Sequence, residues 1–407
     1  LCRSRAENVV FTQGKGAKPH AHPSQIYQKG KRFFFEKKNQ KTFTLKGEMM
    51  VEITATDGTT IELHPRWLRE RANDPTSIDT MTQQRLYNPS DLQKTAEILS
   101  MTHNDGWLTV TFNDGATTHL RESDLLAELP DAPDTGLPRQ IPWHTNDAPH
   151  TPIKWATLQT KPGLFHALRT YHQYGYLILS NVPCVEGTVM SVARTFGFAR
   201  ETNFGLMWDV VSKPPAEAND LSYTDAALDP HTDNPYREPV PGIQLLHCMV
   251  NRSNGGHSTL VDGLAVANEI RATAPDSFEA LRTTKIRFRF IDKDTELVTH
   301  RPIIEADENG VFTAIHFSPR LDFVPLLPPA QLDRFFAARA LINDLLKSPR
   351  FERQFLLQEG ELMMFDNRRL LHGRTGYDAA SGPRHLQGCY IDADAPRSRY
   401  RVLARTL

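Results

Sequence analysis

Beyond residue 240 the chain reads mostly as short strands: GIQLLHCMV, HSTLVDG, KIRFRFID, RPIIEAD, VFTAIHF, GELMMFDNRRLLHG and RHLQGCYID. Two helical stretches interrupt them, LAVANEIRATAP with the following DSFEALR, and PAQLDRFFAARALINDLLKS. Many short strands with few helices, late in a chain, predict a β-sandwich or jelly-roll barrel. The expected fold class is therefore mainly β with flanking helices. A length of 407 residues exceeds one typical core, so a main domain with a smaller companion is expected.

From Val51 the pattern is period-two. VEITATDGTTIELH is two short strands around Asp57-Gly58, a strong hairpin signal. HPRWLRERA follows as a short helix, and WLTVTFNDGATTHL as a hairpin with Asp114-Gly115 at its tip. Residues 49–128 are thus expected to form a small β-rich domain. The aperiodic stretch 129–152, rich in Pro and Asp, reads as a linker. The larger domain, 153–407, opens with the amphipathic helix GLFHALRTYHQYG, closed by Gly175. The buried strand YLILSNV and a second helix, GTVMSVARTFG, come next. Residues 1–48 are basic and aperiodic and lack the apolar core of a signal peptide. They read as a disordered or non-native leader.

A hydrophobic content of 39% and a charged content of 23% are ordinary for a soluble globular chain. The net charge of -1 gives no reason to expect nucleic acid or a bilayer as partner. No apolar run approaches the ~18 residues of a spanning helix. Cys2, Cys184, Cys248 and Cys389 are scattered, which argues against a disulfide framework or a thiolate zinc site and for a cytoplasmic enzyme with reduced thiols.

One hexapeptide, HTDNPY, carries chemistry. His231 and Asp233 are two residues apart, so in a strand or at its frayed end they aim at one point. Pro235 blocks continuation of a central strand, which places the segment's end at a barrel mouth. His372, in FDNRRLLHGR, is the third candidate ligand. Two histidines and a carboxylate on one face of an iron leave the other face open, as in the facial triad of non-haem Fe(II) oxygenases. The spacing alone is not diagnostic: His103-Asn104-Asp105 repeats it within THNDGW, a turn. A turn histidine and a core histidine would explain His231 and His372 as well. Arg384, twelve positions after His372, offers a planar fork for a carboxylate, or else an interstrand ion pair.

HTDNPY, PGIQLLHC, GGHSTLVDG, FDNRRLLHGR and RHLQGCYID, in this order, resemble the γ-butyrobetaine hydroxylase branch of the Fe(II)/2-oxoglutarate dioxygenases, from about residue 155 to the end. The resemblance implies a double-stranded β-helix core, Fe(II) on His231, Asp233 and His372, and 2-oxoglutarate on Arg384 with Leu246 and Ser258 in the same pocket. It further implies O2 as co-substrate, ascorbate as an accessory reductant, and a homodimer. The small β module resembles the branch's N-terminal domain, which in animal members holds zinc through cysteines and a histidine. Here WLRERANDPTSIDT has no cysteine and His119 no thiolate partner, so no structural zinc is expected.

Substrates of the branch carry a trimethylammonium group, which has no N–H donors and is held by aromatic faces. Phe204, Trp208, Tyr223 and Tyr390 match the family's cage, although core packing explains any one of them singly. For the anionic end the basic residues Arg287, Arg289, Lys293, His316 and Arg320 stand in the matching region, with Asp220 near a position where butyrobetaine hydroxylases carry Asn. Arg287 and Arg289 flank Phe288 and share a strand face, which a solvated surface would also explain. The ERANDP, YTDAALDPHTDNPY and FSPRLD segments resemble the phosphonate-specific members of the branch. The expected reaction is 1-hydroxylation of 2-(trimethylammonio)ethylphosphonate, coupled to conversion of 2-oxoglutarate to succinate and CO2. 3-Hydroxylation of γ-butyrobetaine is the alternative. Two readings from other classes are a zinc hydrolase on the same three ligands and a non-catalytic betaine sensor.

Overall fold

The computed structural model describes residues 43–44, 51–54, 60–92, 96–126, 128, 136–147, 149, 151–211 and 224–407. Apart from residues 43–44, the expected leader lies outside them, as does the Asp57-Gly58 turn. Contacts divide the chain into two units, residues 1–134 and 135–407. Among the described residues no helix is long and apolar enough to cross a membrane.

In the first unit, Ile98–Asn104, Trp107–Phe112 and Thr117–Arg121 form an antiparallel meander with Phe43–Thr44 at its edge. Asp105 and Gly106 both have positive φ, 48° and 75°, as a two-residue hairpin between right-twisting strands demands. Leu108, Val110 and Phe112 alternate into a core shared with Leu68, Met101 and Leu125. His119 stacks on Trp107 with ring centroids 4.5 Å apart and shares a 2.7 Å hydrogen bond with the Thr109 hydroxyl.

The second unit is built on two sheets. The larger runs in the order Trp208–Val211, Arg384–Ile391, Ile243–Asn251, Leu362–Asp366, Tyr176–Ser180, Ile153–Lys154. The smaller runs Leu228–His231, Leu370–Arg374, Ser258–Asp262, Arg353–Phe355. Successive strands change sheet: Ile243–Asn251 is followed by Ser258–Asp262, and Leu362–Asp366 by Leu370–Arg374 and then Arg384–Ile391. That alternation is the jelly-roll pattern.

Strand parity explains the layers. Ile243 and Leu245 point outward with Leu177, Leu179, Met364, Cys389 and Ile391, into a core completed by the helices Lys161–Tyr174 and Thr188–Phe196. Leu246 and Cys248 point the other way and meet Leu260 and Leu370 of the smaller sheet. Behind that sheet, Val261 and Leu371 pack against Gly263–Thr273, Pro275–Thr283 and Pro329–Leu346. These strands are buried on both faces, and so read as apolar runs. Thr160 caps Lys161–Tyr174 by accepting from the Gly163 N–H, and Gly175, at φ 79°, closes it. Asp394–Ala404, a polar C-terminal helix, was not foreseen from its sequence.

One buried ion pair joins several of these elements. Arg369 donates to both oxygens of Asp262, at 2.9 and 2.7 Å, and to the carbonyls of Gln173 and Ile141. Asp262 also accepts from the backbone N–H groups of Leu264, as a helix cap, and of Trp143. Trp143, from the Pro-rich stretch, is buried and donates its indole N–H to the Tyr174 carbonyl. Arg369→Met would leave the Asp262 carboxylate buried without its counter-charge. The expected loss is about 3–5 kcal/mol of stability, read as a lower urea midpoint.

Candidate active site

A cavity of about 450 Å³ lies between the two sheets, lined from both. Strand register builds its floor. His231 pairs directly with His372 across Leu228–His231 and Leu370–Arg374, with ring centroids 4.4 Å apart. The first of these strands stops at His231, so Asp233 stands in a bend beyond it and not on the strand. Asn367 replaces strand pairing there. Its side-chain oxygen accepts from the Asp233 N–H at 2.8 Å, and its amide donates to the Asp233 and Pro241 carbonyls at 2.9 and 3.0 Å. Asn234 follows with φ 53°, a left-handed conformation that asparagine tolerates better than most residues.

Ligating atoms of His231, Asp233 and His372 all lie within 4.8 Å of one another. His231 Nδ1 sits 2.8 Å from the Asp229 carbonyl, which can only accept, so the proton of the neutral ring is on Nδ1. Its Nε2 then presents a lone pair to Asp233 Oδ1 at 3.5 Å. Two lone-pair donors face each other there, an arrangement that a cation between them stabilises. Burial lowers the His372 pKa to about 3, which keeps this imidazole neutral and able to ligate. Burial would raise the Asp233 carboxyl, but His372 and His231, wherever these rings carry charge, and the Tyr390 hydroxyl outweigh it and hold the group well below the usual carboxylate range. Tyr390 donates to Asp233 Oδ2 at 2.7 Å. Two imidazole nitrogens and a carboxylate oxygen converging within 4.8 Å fit Fe(II).

The Arg384–Ile391 strand supplies both ends of the cavity. By parity Arg384, Leu386 and Tyr390 face inward, and Gly388 shares that face. A Cβ on Gly388 would sit 2.7 Å from the Trp208 ring, so only glycine lets this indole lie against the strand. Arg384 is 8% exposed, its Nε has no hydrogen-bond partner, and no ion pair reaches it among the described residues. Burial lowers its pKa. A desolvated guanidinium in this state fits an incoming carboxylate such as that of 2-oxoglutarate. Leu246 and Ser258 line the same cavity.

Phe204, Trp208 and Tyr390 all line it, with the Trp208 and Tyr390 rings 4.4 Å apart. Tyr223 and Asp220 lie outside the described residues. On the basic side, Arg289 and Arg320 reach the cavity, but Arg289 is paired with Glu296 at 2.8 Å. Arg287 does not reach it, contrary to expectation. Its cross-strand partner is Phe323, and the guanidinium lies over that ring at 4.7 Å. Lys293 is not among the lining residues. His316 is also elsewhere, buried in a separate polar cleft beside Glu305 at 3.0 Å.

Gln244, Asn234, Tyr236 and Phe290 line the cavity and were not anticipated. Gln244 stands two residues before Leu246, so parity alone would have found it. Asn367 gives no signal, because its role is three side-chain hydrogen bonds to the backbone of a distant loop. The Gln244 side-chain oxygen is buried without a partner among the described residues, a polar handle facing a ligand's space.

A model for the family described as Taurine catabolism dioxygenase TauD, TfdA family matches residues 133–390. The gamma-butyrobetaine dioxygenase of Pseudomonas sp. (strain AK-1) is 32% identical over 361 residues, covering 87% of this chain and 94% of that one. The Homo sapiens protein of that name is 34% identical over 241 residues, covering 58% of this chain and 62% of its own. The mitochondrial trimethyllysine dioxygenase of Rattus norvegicus is 26% identical over 349 residues, covering 83% and 82%.

Asn367→Leu would free the Asp233 backbone without touching a candidate ligand. Fe(II) affinity is expected to fall by about 10–100-fold, measured anaerobically by chelator competition.

Proposed function

This chain belongs to the TauD/TfdA family of dioxygenases, and we propose that within it the protein hydroxylates a small trimethylammonium zwitterion, 2-(trimethylammonio)ethylphosphonate. It is an iron- and 2-oxoglutarate-dependent dioxygenase. The observation that carries the reading is a single cavity joining two histidines and a carboxylate to an unpaired buried arginine and to aromatic faces. A zinc hydrolase would have no use for Arg384 or the aromatic faces. A betaine sensor would have none for the His231, Asp233 and His372 set.

Bound iron and 2-oxoglutarate supply the oxidising chemistry, O2-dependent hydroxylation of a C–H bond coupled to release of succinate and CO2. The chain supplies position. Trp208 and Tyr390, with Phe204 beside them, offer faces to the quaternary ammonium. Arg384 holds the far carboxylate of 2-oxoglutarate. Leu246, Met363 and Leu386 line the space between with apolar surface and keep water from it. Tyr390 serves twice, since its ring faces the cavity while its hydroxyl steadies Asp233.

Arg320 supports the phosphonate. It lines the cavity and has no ion-pair partner among the described residues, and a doubly charged head gains more from such a guanidinium than a carboxylate does. The relatives favour a second reading, since two of them are named gamma-butyrobetaine dioxygenase. An equimolar mixture of the two zwitterions, given to enzyme loaded with Fe(II) and 2-oxoglutarate and then exposed to O2, separates the readings. Mass spectrometry is expected to find the hydroxyphosphonate in excess, and an excess of hydroxylated butyrobetaine would establish the second reading. Trp208→Leu is expected to raise the substrate KM by about ten-fold, the worth of a desolvated cation–π contact, and to leave the KM for 2-oxoglutarate unchanged.

A further inference from the structure

The ring of Tyr377 carries two guanidiniums. Arg374 lies 4.9 Å from its centroid and Arg384 5.3 Å. The ring is buried, on the short strand Tyr377–Asp378 that pairs with Asn254–Gly255. It is also pinned. Its own N–H donates to the Asp225 carbonyl at 3.1 Å. Arg374 donates to the Thr224 and Ala226 carbonyls, each at 2.7 Å. Three consecutive carbonyls, of residues 224–226, thus bond the last residue of the His372 strand and the first of the strand that follows it. Arg374 is anchored by backbone and acts as a fixed plate against Tyr377. Among the described residues Arg384 has no such anchors: its Nε is unpartnered and no carboxylate pairs with it. What bounds it is the Tyr377 ring and the gap left by Gly256, at φ 66°, where a Cβ would come within 3.0 Å of Arg384 Nε. Arg384 in turn acts on Arg374, whose pKa burial and this neighbouring charge lower to about 10.

We propose that Tyr377 is a positioning residue for the co-substrate, its pinned ring aiming Arg384 into the cavity to receive the distal carboxylate of 2-oxoglutarate. The inference rests on the reading of Arg384 given above. A π face suits this task better than a carboxylate would. It attracts the guanidinium without neutralising it, so the full charge stays available to an incoming anion. Arg374 lines the same cavity, but one of its terminal nitrogens is held by the Thr224 and Ala226 carbonyls.

The test is calorimetric titration of 2-oxoglutarate into Mn(II)-loaded protein, which cannot turn over, for wild type, Tyr377→Phe, Tyr377→Leu and Arg384→Met. Tyr377→Phe keeps the ring and is expected to bind like wild type. Tyr377→Leu is expected to bind on the order of ten-fold more weakly, with Mn(II) affinity unchanged, and Arg384→Met to lose binding. Retained binding in Arg384→Met overturns the reading of Arg384 itself. Lost binding in Arg384→Met beside wild-type affinity in Tyr377→Leu overturns the proposal alone. So does a Phe variant as weak as the Leu variant, or a Leu variant that loses Mn(II) as well.

Discussion

His231 and His372 face each other across neighbouring strands of the smaller sheet, and a slip of one residue in that register would send one of them to the opposite face. The sheet's other contacts fix the register. Leu371 and Val261, one residue off the site, are buried against three helices, so the apolar side of the sheet dictates where the imidazoles point. The Arg369–Asp262 pair locks the start of the Leu370–Arg374 strand from the other end. Asp233 is then added by a loop and not by the sheet, with Asn367 supplying the hydrogen bonds that a strand partner would otherwise provide.

The Arg384–Ile391 strand sets the length of the cavity. Arg384 and Tyr390 are six residues apart on one face, roughly 20 Å along an extended chain. On the proposed reading, the co-substrate carboxylate and the substrate cation meet opposite ends of this one element. Parity excludes Cys389 and Ile391 from the cavity and commits them to the helical layer. Gly388, the one inward position without a side chain, is where Trp208 lies down. The residues that line both ends are therefore set by the same alternation that builds the core.

Much of this was legible in the sequence because it depends on local periodicity. The apolar runs marked the strands, Gly175 marked the end of a helix, and HTDNPY with its proline marked the end of a strand. The candidate trio, which the fold brings within 4.8 Å, followed from residue type together with family resemblance, since the spacing of His231 and Asp233 recurs at His103 and Asp105 in a hairpin turn of the first unit. What could not be read depends on distant partners. Nothing in KIRFRF says that Phe323 will cover Arg287 while Arg289 escapes to the cavity and pairs with Glu296. Nothing in VFTAIHF says that His316 turns to Glu305. Trp143 looked like part of a linker because its surroundings are rich in Pro and Asp, yet its burial rests on Asp262 and Tyr174, more than a hundred and about thirty residues away respectively.

On the proposed reading, His231, Asp233 and His372 hold one Fe(II) and leave room on it for 2-oxoglutarate. Anaerobic titration of the protein with Fe(II) in the presence of 2-oxoglutarate, followed by the visible charge-transfer absorption of the chelated keto acid, tests it most directly. Saturation is expected at one equivalent of Fe(II) per chain, with no absorption in Asp233→Ala. Absorption that never saturates, or that persists undiminished in Asp233→Ala, would contradict that reading.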